Sequence, residues 1–411
     1  MPIGYDIGTA IYFLGIRIAS LFTPKAKLWI DGRRTLWSRL EEKAPELQGC
    51  IWMHCASLGE FEQGRPVLEF LKKERPDLPV LLTFFSPSGF EMMKADPIAT
   101  HVEYLPADSR RNAERFLSLV RPRAAIFVRY EFWYHHLHSL HQQRIPAFLI
   151  SAHFRKDQVF FKWFGGTYRK MLRFFDRIFV QDQRSADLLR LIGIGNVSVS
   201  GDTRGDRVLA IADRNEELEK LHSFRIQDDR PILICGSTWP QDEEVLIGAL
   251  KKVKERPRLI IAPHELDPQK IDRLCGKLGG NIARLSKDPI TNGIDILLID
   301  SIGILARAYK YGDIAFVGGG FSDGIHNILE PAVWGIPVIF GPDHNKFNEA
   351  KGLIEAGGGF QVRNASELSI LLNRLIGEEV YRRTASEAAA RYVRKMAGAT
   401  QRITNTILRS I

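Results

Sequence analysis

The sequence predicts an α/β protein built from two Rossmann-like domains, and three observations predict it. The chain has 411 residues, more than one ordinary core organises. From residue 51 to residue 199, short apolar runs alternate with segments of helical period, the pattern of a mainly parallel sheet with helices on both faces. Composition turns polar after Gly201, and the same alternation restarts at Pro231. The expected division is a membrane-associating segment over 1–49, a first Rossmann-like domain over 50–212 and a second over 213–411. Ligands of such sheets bind beyond the carboxyl ends of the strands, so the residues just after each apolar run matter most.

Residues 7–22 are mostly apolar, interrupted by Arg17, and Lys25, Lys27, Arg33, Arg34 and Arg39 follow. That is short for a transmembrane span, which takes about 20 apolar residues. Asp6 and Arg17 are also costly near a bilayer centre. An interfacial helix is more economical: its apolar face enters the headgroup boundary and the cations meet anionic lipid. The alternative is a helix packed on the protein's own core. Trp29 and Trp37 among the cations favour the interface, because indole prefers one wet and one apolar side. A small-residue cleavage site is missing after the apolar stretch, so no cleavable signal is expected.

In the first domain, strands are expected at 51–53, 80–84, 124–128, 147–150 and 178–180. After the first come His54-Cys55-Ala56-Ser57-Leu58-Gly59-Glu60. Ser57 and Gly59 make a tight turn, and Glu60 stands at the next helix start. The helix dipole lowers the pKa of a carboxylate there, while a cleft wall that desolvates it raises it again. Such a glutamate is suited to act as general base on a hydroxyl nucleophile, or it only decorates the helix end. The second strand runs into Ser86-Pro87-Ser88-Gly89, a turn of hydroxyls and free amides suited to a phosphate or sugar. The third runs into Arg129-Tyr130-Glu131-Phe132-Trp133. An acid beside an aromatic ring holds a sugar well, although an aromatic at a strand end also reads as core. His135, His136, His138 and His141 follow, and His138 lies three residues from both His135 and His141. No Cys or paired acid accompanies them, so a basic, solvated helix face is expected rather than a metal site.

A strand at 197–199 leads into Gly201-Asp202-Thr203-Arg204-Gly205-Asp206-Arg207. Arg204 and Arg207 are placed to neutralise a leaving phosphate near a cleft between domains; surface salt bridging is the alternative. The second domain has expected strands at 232–235, 259–261, 296–299, 314–317 and 338–340. Their ends carry Gly236-Ser237-Thr238, Pro263-His264-Glu265, Ser301-Ile302-Gly303 and the triplet Gly318-Gly319-Gly320. Glycine lets the backbone turn sharply at a strand end and still approach a ligand. Asn327 then reads as a helix N-cap, with Glu330 as its capping-box partner and Pro331 in the first turn; Gly335 and Pro337 end that helix. Strand, glycine loop and helix N-terminus together hold an anionic ligand on free N–H groups. His326 adds a donor and Glu330 a clamp for a ribose diol, unless Glu330 only caps its helix. Neither GxGxxG nor GxxxxGK[ST] occurs, which argues for a sugar-nucleotide pocket rather than NAD or ATP. A long basic helix over 385–411 is expected to be able to cross back onto the first domain.

Composition narrows the partners. Hydrophobic residues at 45% and charged ones at 26% describe a globular chain, not a disordered one. A net charge of +9 suggests nucleic acid, a membrane surface or phosphorylated substrates. No aromatic–basic stripe of the single-strand-binding kind is present, so no nucleic acid is expected. The four cysteines have no CxxC spacing, which indicates neither a disulfide framework nor a zinc site and fits reducing cytosol.

The ordered set of motifs resembles the 3-deoxy-D-manno-octulosonic acid (Kdo) transferases. HCASLGE with Glu60, SPSG at 86–89, EFW at 131–133, GDTR at 201–204, GST at 236–238 and FVGGG…HNILEP…GP match that family in order and spacing over nearly the whole chain. The resemblance implies the GT-B fold, two Rossmann-like domains facing a central cleft, with an N-terminal membrane-facing helix. It implies a monomer on the cytoplasmic face of the bacterial inner membrane. The implied reaction moves Kdo from CMP-Kdo to an anionic lipid A precursor (lipid IVA) in lipopolysaccharide core biosynthesis. Inversion at the anomeric carbon is implied, with no cofactor and no essential metal. Glu60 is the implied base, with Glu131 and Arg204 completing the catalytic set. The donor is implied to lie against Pro263, His264, the turn Ile302, Gly303 and Ile304, and the run Asn327, Ile328, Leu329 and Glu330. Ser237, Thr238, Gly319, Gly320 and His326 surround it. The acceptor is implied to meet Ser57, Gly59, Ser86, Ser88, Gly89 and Trp133.

Three departures from the family pattern stand out. Arg129 replaces a frequent glutamate. Arg204 replaces a lysine, presenting a planar fork instead of a point charge. His264 and Ile304 replace an arginine and a glutamate that contact CMP. CMP is already a good leaving group, so cationic side chains and helix N-termini suffice to absorb its charge. Two rivals remain: another GT-B transferase using a UDP-sugar on a lipid or wall precursor, and a non-catalytic nucleotide-sugar-binding module.

Overall fold

The structure, a computed structural model, describes residues 3–411. The chain divides into two compact units, one of residues up to Arg207 together with Ala397–Ile411, the other of Val208–Met396. The first holds strands β1 (Ile51–Cys55), β2 (Val80–Phe84), β3 (His101–Tyr104), β4 (Ala124–Val128), β5 (Ala147–Ala152), β6 (Arg177–Val180) and β7 (Val197–Val199). All pair in parallel in the order β3-β2-β1-β4-β5-β6-β7. The second holds β8 (Ile232–Thr238), β9 (Arg258–Pro263), β10 (Ile282–Arg284), β11 (Ile296–Leu298), β12 (Ile314–Val317), β13 (Val338–Phe340) and β14 (Gly359–Gln361). They too are parallel, in the order β10-β11-β9-β8-β12-β13-β14. Chain order reverses between β1 and β4 in one sheet and between β8 and β12 in the other. Those two switch points are where a doubly wound sheet opens a crevice for a ligand.

The central strands are apolar on both faces because helices cover both. On one side of the first sheet, Trp52 and Phe127 meet Phe116 of helix Arg110–Val120. On the other, Met53 and Ile126 meet Phe61 and Val67 of helix Leu58–Glu74, with Ile403 and Ile407 from the chain's end. That end is not one long helix. It breaks at Gly398 (φ 90°) into Glu379–Lys395 and Ala399–Leu408, and the second piece packs in the first unit. The Asp206 carboxylate accepts from the N–H groups of Gly398 and Thr400, both at 2.6 Å, and so caps the new helix start. The unit boundary falls at Arg207/Val208, inside helix Thr203–Arg214, rather than at 212/213.

Helices Ile3–Ala19, Pro24–Arg33 and Leu36–Leu47 precede β1. Ile3, Ile7, Ile11, Leu14 and Ile18 are spaced as one helical stripe, and all five are exposed. The other side faces the unit: the Tyr5 hydroxyl donates to Asp108 Oδ2 at 2.6 Å, and Asp6 pairs with His135 at 2.6 Å. No helix among the described residues is long and apolar enough to cross a membrane alone; Ile3–Ala19 and Pro24–Arg33, bent by 115°, pass only as a pair.

Several residues expected at a lipid surface belong to the interior instead. Trp29 is only 8% exposed, stacked on Phe13, with the Arg33 guanidinium 3.6 Å above its ring. Arg33 donates to the carbonyls of Trp29, Phe85 and Leu105, and burial pushes its pKa down to about 9. Arg39 forks onto Glu103 of β3 at 2.7 and 2.5 Å. Trp37 is half-buried beneath Arg115. Lys25, Lys27 and Arg34 alone keep the expected exposure. The expected solvated histidine face holds only toward its end: His135 and His136 are buried, His138 is half-buried and His141 is exposed. His136 bonds Asp108 at 2.6 Å, and although burial works the other way, that bond and those from Tyr5 and the amide of His135 hold Asp108 below the usual carboxylate range.

Candidate active site

At the first switch point, β1 and β4 bring two carboxylates together. Ser57 is the residue before helix Leu58–Glu74, and Glu60 lies in that helix's first turn. The Ser57 hydroxyl donates to Glu60 Oε2 at 2.8 Å. Burial raises the Glu60 pKa, the neighbouring Glu131 adds to the rise, and Ser57 and Arg129 work against it. Glu131 is nearly buried, and its Oε2 accepts from His54 Nε2 at 2.8 Å and Trp133 Nε1 at 2.7 Å. His54 is fixed behind by Thr83, whose Oγ1 lies 2.9 Å from Nδ1 and also takes the Trp52 indole N–H. His54 sits in register with Thr83 on β2 and Phe127 on β4, so the sheet itself sets the position of Glu131. Arg129 follows β4 in the left-handed region (φ 62°), and its charge acts on both Glu60 and the buried Asp202. Arg204 is not a free cation: its guanidinium forks onto Asp202 at 2.6–3.2 Å. Arg207 pairs with Glu62 and Glu69.

At the second switch point, the glycine triplet leaves β12. A side chain at Gly318 would lie 2.3 Å from the Ser237 carbonyl oxygen, and one at Gly320 2.5 Å from the Gly341 amide. The triplet is therefore demanded by backbone packing within the unit, whatever ligand approaches it. Asp242, in helix Pro240–Leu250, accepts from the amides of Gly319 at 2.7 Å, Trp239 at 2.9 Å and Phe321 at 3.3 Å. Trp239, His264 and His326 form a stack with ring centroids 4.3 and 4.6 Å apart. The Trp239 indole also donates to His326 Nε2 at 3.0 Å. Burial, with the charge of His264, pushes the His326 pKa down to about 4, so its Nε2 is an acceptor at neutral pH and not the donor expected. Asn327 accepts from the Leu329 amide and donates to Glu330 at 3.1 Å.

A relative from Aquifex aeolicus named 3-deoxy-D-manno-octulosonic acid transferase is 30% identical over 343 residues, which are 82% of this chain and 88% of that one. The chain belongs to the 3-deoxy-D-manno-octulosonic acid transferase family. A profile of that family, described as 3-Deoxy-D-manno-octulosonic-acid transferase (kdotransferase), matches residues 32–207. A Bordetella pertussis relative of the same name is 29% identical over 387 residues, 89% of each chain. Among solved structures, S. aureus MnaA with UDP aligns at a TM-score of 0.58 with 18% identity, over 89% of this chain and 98% of that one. Likeness at that level carries the fold: a GT-B-type pair of Rossmann-like domains. This Kdo transferase homologue is thus a glycosyltransferase.

Seen against its sequence, this Kdo transferase homologue brings Ser57, Glu60, Glu131 and Trp133 together in one unit, and Ser237, Thr238, His264, His326, Asn327 and Glu330 surround the switch point of the other. Other expected residues play different parts. Ile328 and Leu329 are wholly buried, so their side chains pack the core, and the Leu329 amide is already capped by Asn327. The helix they open, Leu329–Val333, has five residues, shorter than the run to Gly335 that the sequence suggested. Gly89 is buried, and a side chain there would lie 2.3 Å from the Phe84 ring. Ser86 and Ser88 share a hydroxyl contact at 2.9 Å, and Gly59 is exposed. Gly303 takes φ 87° between an exposed Ile302 and a half-buried Ile304, in the turn before helix Leu305–Ala308; Pro263 ends β9. Sequence reasoning missed His54, Thr83, Trp239 and Asp242. His54 and Thr83 stand inside apolar strands, where a lone polar residue is the signal. Among the described residues, no group of three His, Cys, Asp or Glu side chains is placed to hold a metal ion.

Proposed function

We propose that this protein moves Kdo from CMP-Kdo to a lipid A precursor, lipid IVA, with inversion, and that Glu60 is the general base. The observation that carries the reading is the Glu60–Glu131 pair at the β1/β4 switch point. Glu60 is half-buried, hydrogen-bonded by Ser57 and raised in pKa by burial, which makes its carboxylate a better proton acceptor than an exposed one. In the reaction the acceptor hydroxyl oxygen bonds the anomeric carbon of Kdo as the bond to the CMP phosphate oxygen breaks. Glu60 takes the hydroxyl proton, and the electron pair leaves on CMP. A single displacement inverts the anomeric centre. Glu131 spends Oε2 on His54 and Trp133, so Oε1 is left to accept from a second acceptor hydroxyl. The donor is read onto the second unit, around the Trp239–His264–His326 stack and the loop held by Asp242. CMP is itself a good leaving group, and the reading requires no divalent metal.

The exposed apolar stripe on Ile3–Ala19 supports work at the membrane surface, on the cytoplasmic face where nucleotide sugars are available. Trp163, 91% exposed, and Phe164, 60% exposed, beside Lys162 support a second membrane contact. The test is transfer from CMP-Kdo, made in situ, to tetraacylated lipid A precursor by wild type and Glu60→Gln. Product from wild type alone, with CMP bound equally by both, is the expected result. Full activity in Glu60→Gln removes the base, and no product from wild type that still binds CMP removes this acceptor.

A further inference from the structure

The first unit contains a cavity of about 470 Å³ beneath its N-terminal helices, apart from the carboxylate pair. That is within the range of about 300–1,000 Å³ typical of small-molecule sites. Its walls include Ala10, Phe13 and Leu14 of helix Ile3–Ala19, Trp29 and Ile30 of helix Pro24–Arg33, and Trp37. Leu14 also belongs to the exposed apolar stripe, so the cavity's lining is continuous with that stripe. Three arginines border it: Arg17, Arg33 and Arg34. Arg17 has no side-chain hydrogen bond or ion pair among the described residues, and Arg33 bonds only carbonyls. Arg34 is exposed and shared with Asp31. An apolar chamber with a cationic rim is complementary to an acyl chain that carries a phosphate near its head.

We propose that this cavity seats one acyl chain of the phosphorylated glycolipid acceptor, drawn in from the bilayer, with Arg17 and Arg34 facing its phosphate. The inference deepens the reading of this protein as a lipid-acceptor transferase and rests on it. Its back wall leads to the carboxylates: Trp29 lies 5.6 Å from Phe85, Phe85 stacks 5.2 Å from Trp133, and Trp133 donates to Glu131 at 2.7 Å. A chain held at one end of that aromatic row fixes how far the acceptor sugar reaches toward the other. The cavity therefore selects acceptors by acyl chain as well as by sugar.

The test uses dodecyl phosphate brominated on its chain, below its micelle-forming concentration, with the full-length protein. Trp29 and Trp37 line the cavity, so bromine seated there quenches their fluorescence saturably, and Trp37→Phe loses part of the quenching. Ala10→Phe fills the chamber from an exposed helical position and weakens binding at least tenfold. Arg17→Gln weakens dodecyl phosphate several-fold and leaves dodecyl maltoside unchanged. Ala10→Phe also raises KM for the acylated acceptor and leaves kcat within a factor of two. Equal quenching in wild type and Ala10→Phe overturns the inference even where wild type transfers Kdo. Weakened probe binding in Ala10→Phe with unchanged acceptor KM overturns it as well, and assigns the cavity to a membrane lipid. Probe binding that follows these variants in a protein that transfers no Kdo would instead count against the reaction reading.

Discussion

Replacing Asp242 tests whether the glycine loop of the second unit is held by a single carboxylate. Asp242 is wholly buried and takes three backbone N–H groups, from Gly319, Trp239 and Phe321. Burial raises its pKa in spite of them. Asp242→Ala leaves those amides without an acceptor, and each buried donor so stranded costs about 1–3 kcal/mol. Gly319 is fully enclosed and Trp239 and Phe321 are near the surface, so about 3 kcal/mol is expected for the set. For a domain of about 150–250 residues, 1 kcal/mol moves Tm by about 2–4 °C, which gives a fall of roughly 6–12 °C. Asp242→Asn keeps the shape, accepts through one oxygen and turns an NH2 toward the remaining donors, so its loss is smaller. Calorimetric unfolding gives the stability, and titration with CMP gives the effect on the loop, expected as a several-fold weaker Kd. Asp242→Ala within 0.5 kcal/mol of wild type, or a stability loss with CMP affinity untouched, would refute the argument.

Three further outcomes follow from the same geometry. His54→Leu removes the N–H that orients Glu131 and lowers kcat about 10–100-fold while CMP affinity holds, which steady-state kinetics with a CMP titration will show. Tyr5→Phe deletes the bond to Asp108 and strands the Tyr134 amide, costing about 1–3 kcal/mol in urea unfolding of the first unit. His326 has a folded-state pKa of about 4 against an ordinary 6.5, so the unfolded chain takes its proton first as pH falls. Its contribution to stability is complete above pH 6.5 and lost progressively down to about pH 4; thermal unfolding against pH should show that slope, and His326→Gln should flatten it.

Most of the sheet framework was legible because its central strands are continuous apolar runs of β-branched and aromatic residues. Of the edge strands, only β7 was legible, as the run at 197–199. β3 reads His-Val-Glu-Tyr, and it is a strand because Arg39 forks onto Glu103 and removes the cost of that buried carboxylate. β10 and β14 have three residues each, too few for a period to show. Glu60 and Glu131 were legible as polar residues just beyond apolar runs. Their supports were hidden in the strands: His54 and Thr83 look like core positions until the register sets them side by side. Arg33 and Trp29 misled for the opposite reason. A basic–aromatic pair suits a membrane surface in sequence, and here the same cation–π stack is folded inward and satisfied by three carbonyls. Within that helix the exposed stripe of Ile3, Ile7, Ile11, Leu14 and Ile18 keeps the membrane reading, because a helix that only covered the unit would turn that stripe inward.

The arginine beyond β4 gives the sharpest check on the electrostatics of Glu60. Arg129 stands just beyond β4, in a left-handed backbone conformation that any non-glycine residue there must share. Its charge lowers the Glu60 pKa against burial and Glu131, although it is the weakest of the influences on that group. Arg129→Glu turns an opposite charge into a like one and disfavours ionised Glu60 twice over. A neighbouring opposite charge lowers a carboxyl pKa and a like charge raises it, so reversing the sign moves that of Glu60 upward. The base must be ionised to work, so the acidic limb of kcat/KM shifts to higher pH. Arg129→Met, which removes the charge without reversing it, shifts the limb about half as far. Both variants keep the strain at φ 62°, so a difference between them reports charge and not backbone. A limb that stays in place in both, or moves to lower pH in Arg129→Glu, means that the titrating group seen in kcat/KM is not Glu60.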